Sequence, residues 1–269
     1  MGRLILCIGL FLGTFAHGAL ADDSATTRPA IHVNHAGLSK LGWQLACIGS
    51  TFRSCPTFDM IDLLHSMNFH HMELSLGQID PSDTDGLAAK LKSVHMDIVS
   101  IGIINPGTSE SEATAFFELG KRLKIKTLVA DPADGSLEML DKLANEYHIN
   151  VAIVNFTKPG NHWDPDALRT LLAGRSSRIG VCANVAAWRA SGISAVDAVK
   201  KLSGHILEIR LENSYDSEAA DVLGELKIEK FKGICAVGCD NEPEGDLIDR
   251  FTRSINAFSR IVGDLSGLQ

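Results

Sequence analysis

Short apolar runs rich in β-branched residues alternate with amphipathic stretches along most of this chain. Residues 127–130, 151–154 and 179–183 are three such runs, and each leads into a polar residue: Asp131, Asn155 and Asn184. Segments with helical periodicity separate them, as in the stretch that sets Leu137, Leu140, Leu143, Ala144 and Tyr147 on one face. The same alternation extends in both directions. Upstream it predicts strands over 42–48, 71–74 and 97–103, with helices from Thr57 or Asp59, over 83–94 and over 110–123. Downstream it predicts strands over 206–211 and 234–237, with helices over 218–226 and about 246–262. Asp164-Pro165 opens a helix where the missing proline N–H costs nothing, Ser194 caps another through Lys201, and Asn105-Pro106-Gly107 marks a turn. Eight strand–helix units predict parallel strands closed into a (β/α)8 barrel, with chemistry at the C-terminal strand ends. No GxGxxG follows a strand and no Walker-type loop is present, so a dinucleotide or P-loop fold is not predicted.

The ends of the chain change the picture. Arg3, the apolar stretch 4–15 and Ala19-Leu20-Ala21 have the order of a secretory leader. The run falls short of the roughly 20 apolar residues that a membrane span needs. Cleavage after Ala21 and a secreted or periplasmic location are therefore expected, with a polar leader or linker over 22–40 and the barrel domain over 41–269. A formal net charge of −8 and a pI of about 5.7 argue against nucleic acid or an anionic membrane as the main partner. Cys47, Cys55, Cys182, Cys235 and Cys239 lie beyond the leader, an odd number with no zinc-type spacing and not a disulfide framework. A Cys47–Cys55 bridge after export stays open.

Four segments carry a resemblance to a known family. They are FHHMELSLGQ (69–78), LKIKTLVADP (123–132), EYHINVAIVNFTKPGNHWDPDAL (146–168) and GRSSRIGVCANVAAW (174–188). Together they resemble the second, fourth, fifth and sixth units of the sugar phosphate isomerase/epimerase proteins of the xylose isomerase-like TIM-barrel superfamily. The resemblance covers nearly all of the chain after the leader. It implies a TIM barrel and a divalent metal held by Glu, Asp, His and Glu at the ends of strands four, six, seven and eight. In such a site the metal polarises a sugar's carbonyl and hydroxyl while acidic groups move protons.

This chain departs from that pattern at each ligand. The first Glu falls on Asp131, the Asp on Asn184, the His on Arg210 and the last Glu on Gly238. Two further family histidines fall on Val154 with Phe156 and on Ala187. A guanidinium about 4 Å from a divalent ion costs roughly 8 kcal/mol at an effective dielectric of 20, and arginine cannot shed its proton. No cofactor is therefore predicted, and a divalent metal only if other residues rebuild the site.

The remaining candidates are weighed against plainer roles. Asp131 is a catalytic carboxylate, a partner of Arg210, or a turn-former before Pro132. Glu73, kept at the end of strand two, is a second catalytic candidate or a structural hydrogen-bonding group. Arg210 holds a ligand by bidentate hydrogen bonds or pairs inertly with Asp131 or Glu208. Asn155 and Asn184 are polar ligand contacts at the mouth, while Lys158 reads as a solvated charge. Trp163 and Trp188 offer flat surfaces to a sugar or simply pack. His162 is the histidine that fits the mouth, whereas His70, His71 and His95 fall at strand starts, and Cys182 reads as a small buried hydrophobe.

Three functions remain open. One is a carbohydrate- or polyol-binding pseudoenzyme; a second is an isomerase or epimerase with a rebuilt metal site or metal-free acid/base groups. The third is a scaffold or interaction protein without a small ligand.

Overall fold

Polar caps mark where several of the helices begin. The computed structural model describes residues 30–212, 217–239 and 247–268. Ser109, Asp164 and Ser194 each accept a hydrogen bond from a backbone N–H in the first turn of the helix that follows. These helices are α4 (Glu110–Leu123), α6 (Pro165–Leu172) and α8 (Ala195–Lys201). Their buried faces pack on a closed barrel of eight parallel strands, each hydrogen-bonded to its sequence neighbours, with β8 closing on β1. The strands are β1 (Gln44–Ile48), β2 (His71–Leu74), β3 (Asp97–Ile104) and β4 (Thr127–Ala130) in the first half. The second half has β5 (Asn150–Val154), β6 (Ile179–Asn184), β7 (Ile206–Glu212) and β8 (Ile234–Gly238). The remaining helices are α2 (Thr57–Ser66), α3 (Thr84–Ser93), α5 (Leu137–Tyr147), α9 (Ser217–Ile228) and α10 (Leu247–Ser266). The predicted (β/α)8 alternation is present, with each strand within two residues of its expected bounds.

Two helices were not expected. The first, α1 (His35–Leu41), overlaps the leader predicted over 22–40. Asn34 caps it, Gly42 ends it at φ +76°, and Leu38 and Leu41 are buried. Seven residues are too few for periodicity to stand out. The second, α7 (Val185–Ala190), starts directly from the end of β6 with Asn184 as its cap. The expected secretory leader and its cleavage point lie outside the described residues. None of the described helices is long and apolar enough to cross a membrane. Cys47 and Cys55 are both free thiols, so the bridge left open is not formed here.

Strand parity divides the core. One large apolar layer lies between barrel and helices, and it includes Met72, Leu128, Ile153, Val181, Ile209 and Phe251. Small and β-branched residues line the inside of the barrel: Ala46, Ala152, Cys182 and Ala236, with Ile48, Val99, Val129, Val154 and Ile234. That choice leaves volume inside the barrel, and long charged side chains fill it.

Candidate functional site

The barrel interior holds a buried ionic network. Glu73 at the end of β2 and Arg210 on β7 form an ion pair of 2.9 Å, with side chains only 2% and 6% exposed. Arg210 Nε also stands 3.6 Å from Glu212 Oε1 at the end of β7. Glu208, two residues before Arg210 and therefore on the same face, is fully buried. Burial is the main force that lifts its carboxyl far above the ordinary range, followed by the charge of Glu73 and contact with it. Arg210 and the Ser100 hydroxyl act the other way. That shift favours the protonated form of Glu208. Burial alone would lower the Arg210 pKa, but Glu73 first, then Cys182, Glu212 and Glu208, raise it instead. The Cys182 thiol donates to Glu208 Oε1 at 3.6 Å and is pushed well up, by burial first and then by Glu208.

Arg210 therefore does not pair with Asp131, as the sequence had allowed. Asp131 lies above the network, on the rim after β4, with 17% of its side chain exposed. Asn161 Nδ2 donates to both of its carboxylate oxygens at 3.1 and 3.2 Å, and Asn105 Nδ2 lies 3.5 Å from Oδ2. His162 Nε2 is 3.5 Å from Oδ1, close enough for attraction but without hydrogen-bond alignment. Trp163 follows, half-buried, with the Lys158 ammonium 4.6 Å from the centre of its ring. Lys158 is thus a cation–π partner as well as a surface charge.

The two asparagines expected at the mouth serve each other. Asn155 is fully buried; its Nδ2 donates to Asn184 O and its Oδ1 accepts from Asn184 N at 2.7 Å. Asn184 Oδ1 in turn accepts from Ala187 N and caps α7. Together they tie β5 to β6. Trp188 is wholly buried on α7, so its ring packs in the core and offers no face to a sugar. His70 and His71 sit at the start of β2, where the His70 ring stacks on His35 at 4.3 Å. That is the end of the barrel away from the Asp131 rim.

The sequence matches no protein-family profile and no curated protein. Solved structures do match. The IOLI protein with a bound zinc atom superposes with a TM-score of 0.67 at 14% identity, over 82% of this chain and 98% of that one. A D-tagatose 3-epimerase-like protein gives 0.66 at 14% identity, over 83% and 98%. A xylose isomerase domain protein from Alicyclobacillus acidocaldarius gives 0.66 at 11% identity, over 84% and 99%. This chain has the xylose isomerase-like TIM-barrel fold.

The four positions of this xylose isomerase-like barrel matched to the metal ligands do not, as described, fit a divalent ion. Of the four positions matched to the family's ligands, Asp131 alone carries a carboxylate, and Asn161 already engages both its oxygens. Asn184 Oδ1 is spent on its helix cap, and Arg210 brings a fixed positive charge. At Gly238 there is no room for any side chain. A Cβ there would lie 2.6 Å from Thr51 Oγ1 and 3.0 Å from Ile48 Cβ. Thr51 is β-branched, buried, and accepts from Cys239 N through that oxygen, so it does not yield cheaply. Among the described residues no group of three or more His, Cys, Asp or Glu is placed to hold a metal. The Gly238→Glu variant is expected to lose about 1–3 kcal/mol of stability through overpacking, read as a lower urea midpoint.

Several site residues were not singled out from sequence. Asn161 and Asn105 hold Asp131, and Ser100 faces Glu208, yet each lies in a loop or strand context where such residues are common. Glu208, by contrast, was legible as a partner for Arg210, since it shares that residue's strand parity and faces the interior.

Proposed function

We propose that the mature, exported chain binds an uncharged carbohydrate or polyol at the C-terminal mouth of the barrel, without a divalent metal and without turning it over. The Glu73–Arg210 ion pair carries this reading. It sets a permanent cation, already neutralised by a carboxylate, where the family's histidine ligand would stand. Burial pushes Glu208 towards its neutral form, and the Arg210 cation, set between Glu73 and Glu212, opposes a divalent ion at that position. Glu73 and Arg210 then brace the barrel from below, while Asp131, Asn161, His162 and Trp163 supply the polar and aromatic groups of the rim. The likeness of the fold to an epimerase-like protein supports a sugar-sized ligand, and fold alone does not decide turnover.

Calorimetry on the purified protein tests this, with D-fructose, D-xylose and sorbitol as probes and manganese, zinc, magnesium or cobalt added separately. Saturable sugar binding, unchanged by EDTA and accompanied by no tightly bound ion, is the expected outcome. One equivalent of tightly bound metal, or isomerase activity lost to chelator, sinks the reading.

A further inference from the structure

Between the β4–α5 loop and the β5–α6 loop lies a cleft of about 500 Å³, within the usual range for small-molecule sites. His162, Trp163, Asp134 and Asp164 line it, and Leu168 and Leu171 of α6 form its apolar floor. Among the described residues the barrel axis is filled at this level, since Asn155 and Arg210 are buried and Thr51 and Ile48 fill the space at Gly238. Of the described rim, this cleft brings an imidazole and an aromatic ring together.

His162 is built into the cleft at a cost. Its backbone is left-handed at φ +54°, which costs a non-glycine residue about 1–2 kcal/mol. The other described non-glycine residues with positive φ are Asn68, His95, Lys124, His148 and Lys230, and each follows the end of a helix. His162 follows none. Its loop is held in shape by Phe156 N donating to Asn161 O and Gly160 N to Thr157 O, and by Lys158 N donating to Ser191 Oγ. The geometry thus fixes an imidazole beside a carboxylate on a stiff loop, at the edge of a cavity with an aromatic wall. Asp131 Oδ1 lies 3.5 Å from Nε2 without a formed hydrogen bond; a carboxylate on that side favours the ring proton there and turns Nδ1 to a ligand hydroxyl as an acceptor.

We infer that the cleft between these loops is the ligand subsite, which rests on the sugar-binding reading above. His162 is its polar contact, the Trp163 ring its flat wall, and Asp131 the positioning residue that sets the imidazole tautomer. Two carboxylates on its lining, Asp134 and Asp164, select an uncharged polyhydroxy compound over a sugar phosphate. Arg175 lines an adjoining cavity of about 260 Å³ that shares Asp134, His162 and Leu171 with the cleft.

Three measurements on the whole protein test the inference. D-fructose, D-xylose or sorbitol should shield His162 from diethyl pyrocarbonate, read at the level of single peptides by mass spectrometry. His162→Asn keeps a residue that tolerates left-handed backbone, and it should weaken binding about tenfold while leaving the urea midpoint in place. Long-range proton–nitrogen spectra of the neutral imidazole should show the Nε2–H tautomer in wild type and its loss in Asp131→Asn, a signature that a merely structural carboxylate would not move. If wild type binds a probe but His162→Asn binds it equally and no shielding occurs, the subsite is elsewhere and sugar binding survives. Tighter binding of fructose 6-phosphate than of fructose overturns the uncharged ligand. If wild type binds none of the probes, the sugar-binding reading itself falls.

Discussion

Arg210→Met lowers the free energy of unfolding by about 3–5 kcal/mol, because it strands the buried Glu73 carboxylate without its cation. Methionine fills much of the same volume, so the loss reports charge more than cavity. The double variant Glu73→Met with Arg210→Met removes both charges and recovers most of the loss. A cycle of the two single variants and the double variant, each unfolded in urea, then gives a coupling of several kcal/mol. Each single variant leaves one charge buried alone, so the coupling measures mutual dependence and not the net worth of the pair. An Arg210→Met loss under about 1 kcal/mol would falsify the bracing role assigned to the pair. Arg210→Lys is not a safe control, since an ammonium cannot reach Glu73 and Glu212 from one planar group.

The pair also explains what could and could not be read in the sequence. The alternation of β-branched runs and amphipathic segments carried the architecture, because period 2 and period 3.6 are local properties of the chain. Caps such as Asp164 and Ser194 were legible for the same reason. Strand parity went one step further and put Glu208 and Arg210 on one inward face. Which acid met which base was not local. Glu73 and Arg210 are 137 positions apart, and only barrel closure brings β2 and β7 to face each other across the interior. Asp131 was recognised by its position at a strand end, yet its partners sit on two other loops that periodicity cannot place. Of the two readings of Trp188, packing is the one present: a six-residue helix following β6 turns its ring into the core.

Glu208→Gln raises stability at neutral and alkaline pH and leaves it nearly unchanged near pH 4.5. Burial first, and then Glu73, lift the Glu208 carboxyl well above its ordinary value of 4.5, so the folded protein binds a proton that the unfolded chain has released. The stabilisation tied to that proton is complete below about pH 4.5 and is lost as pH rises towards the folded pKa. Over that window the contribution of one such proton falls by about 1.4 kcal/mol per pH unit. Glutamine resembles the protonated acid in size and in having both a donor and an acceptor, but it cannot ionise. The difference in unfolding free energy between variant and wild type should therefore widen steadily as pH rises above 4.5, in urea titrations at a series of pH values. Parallel curves would mean that Glu208 is ionised in the fold. The interior would then carry two carboxylates against one guanidinium, and the charge balance that argues against a metal would have to be redrawn. A widening gap instead fixes the interior as one ion pair and one neutral acid, leaving the rim as the place where a ligand meets polar groups.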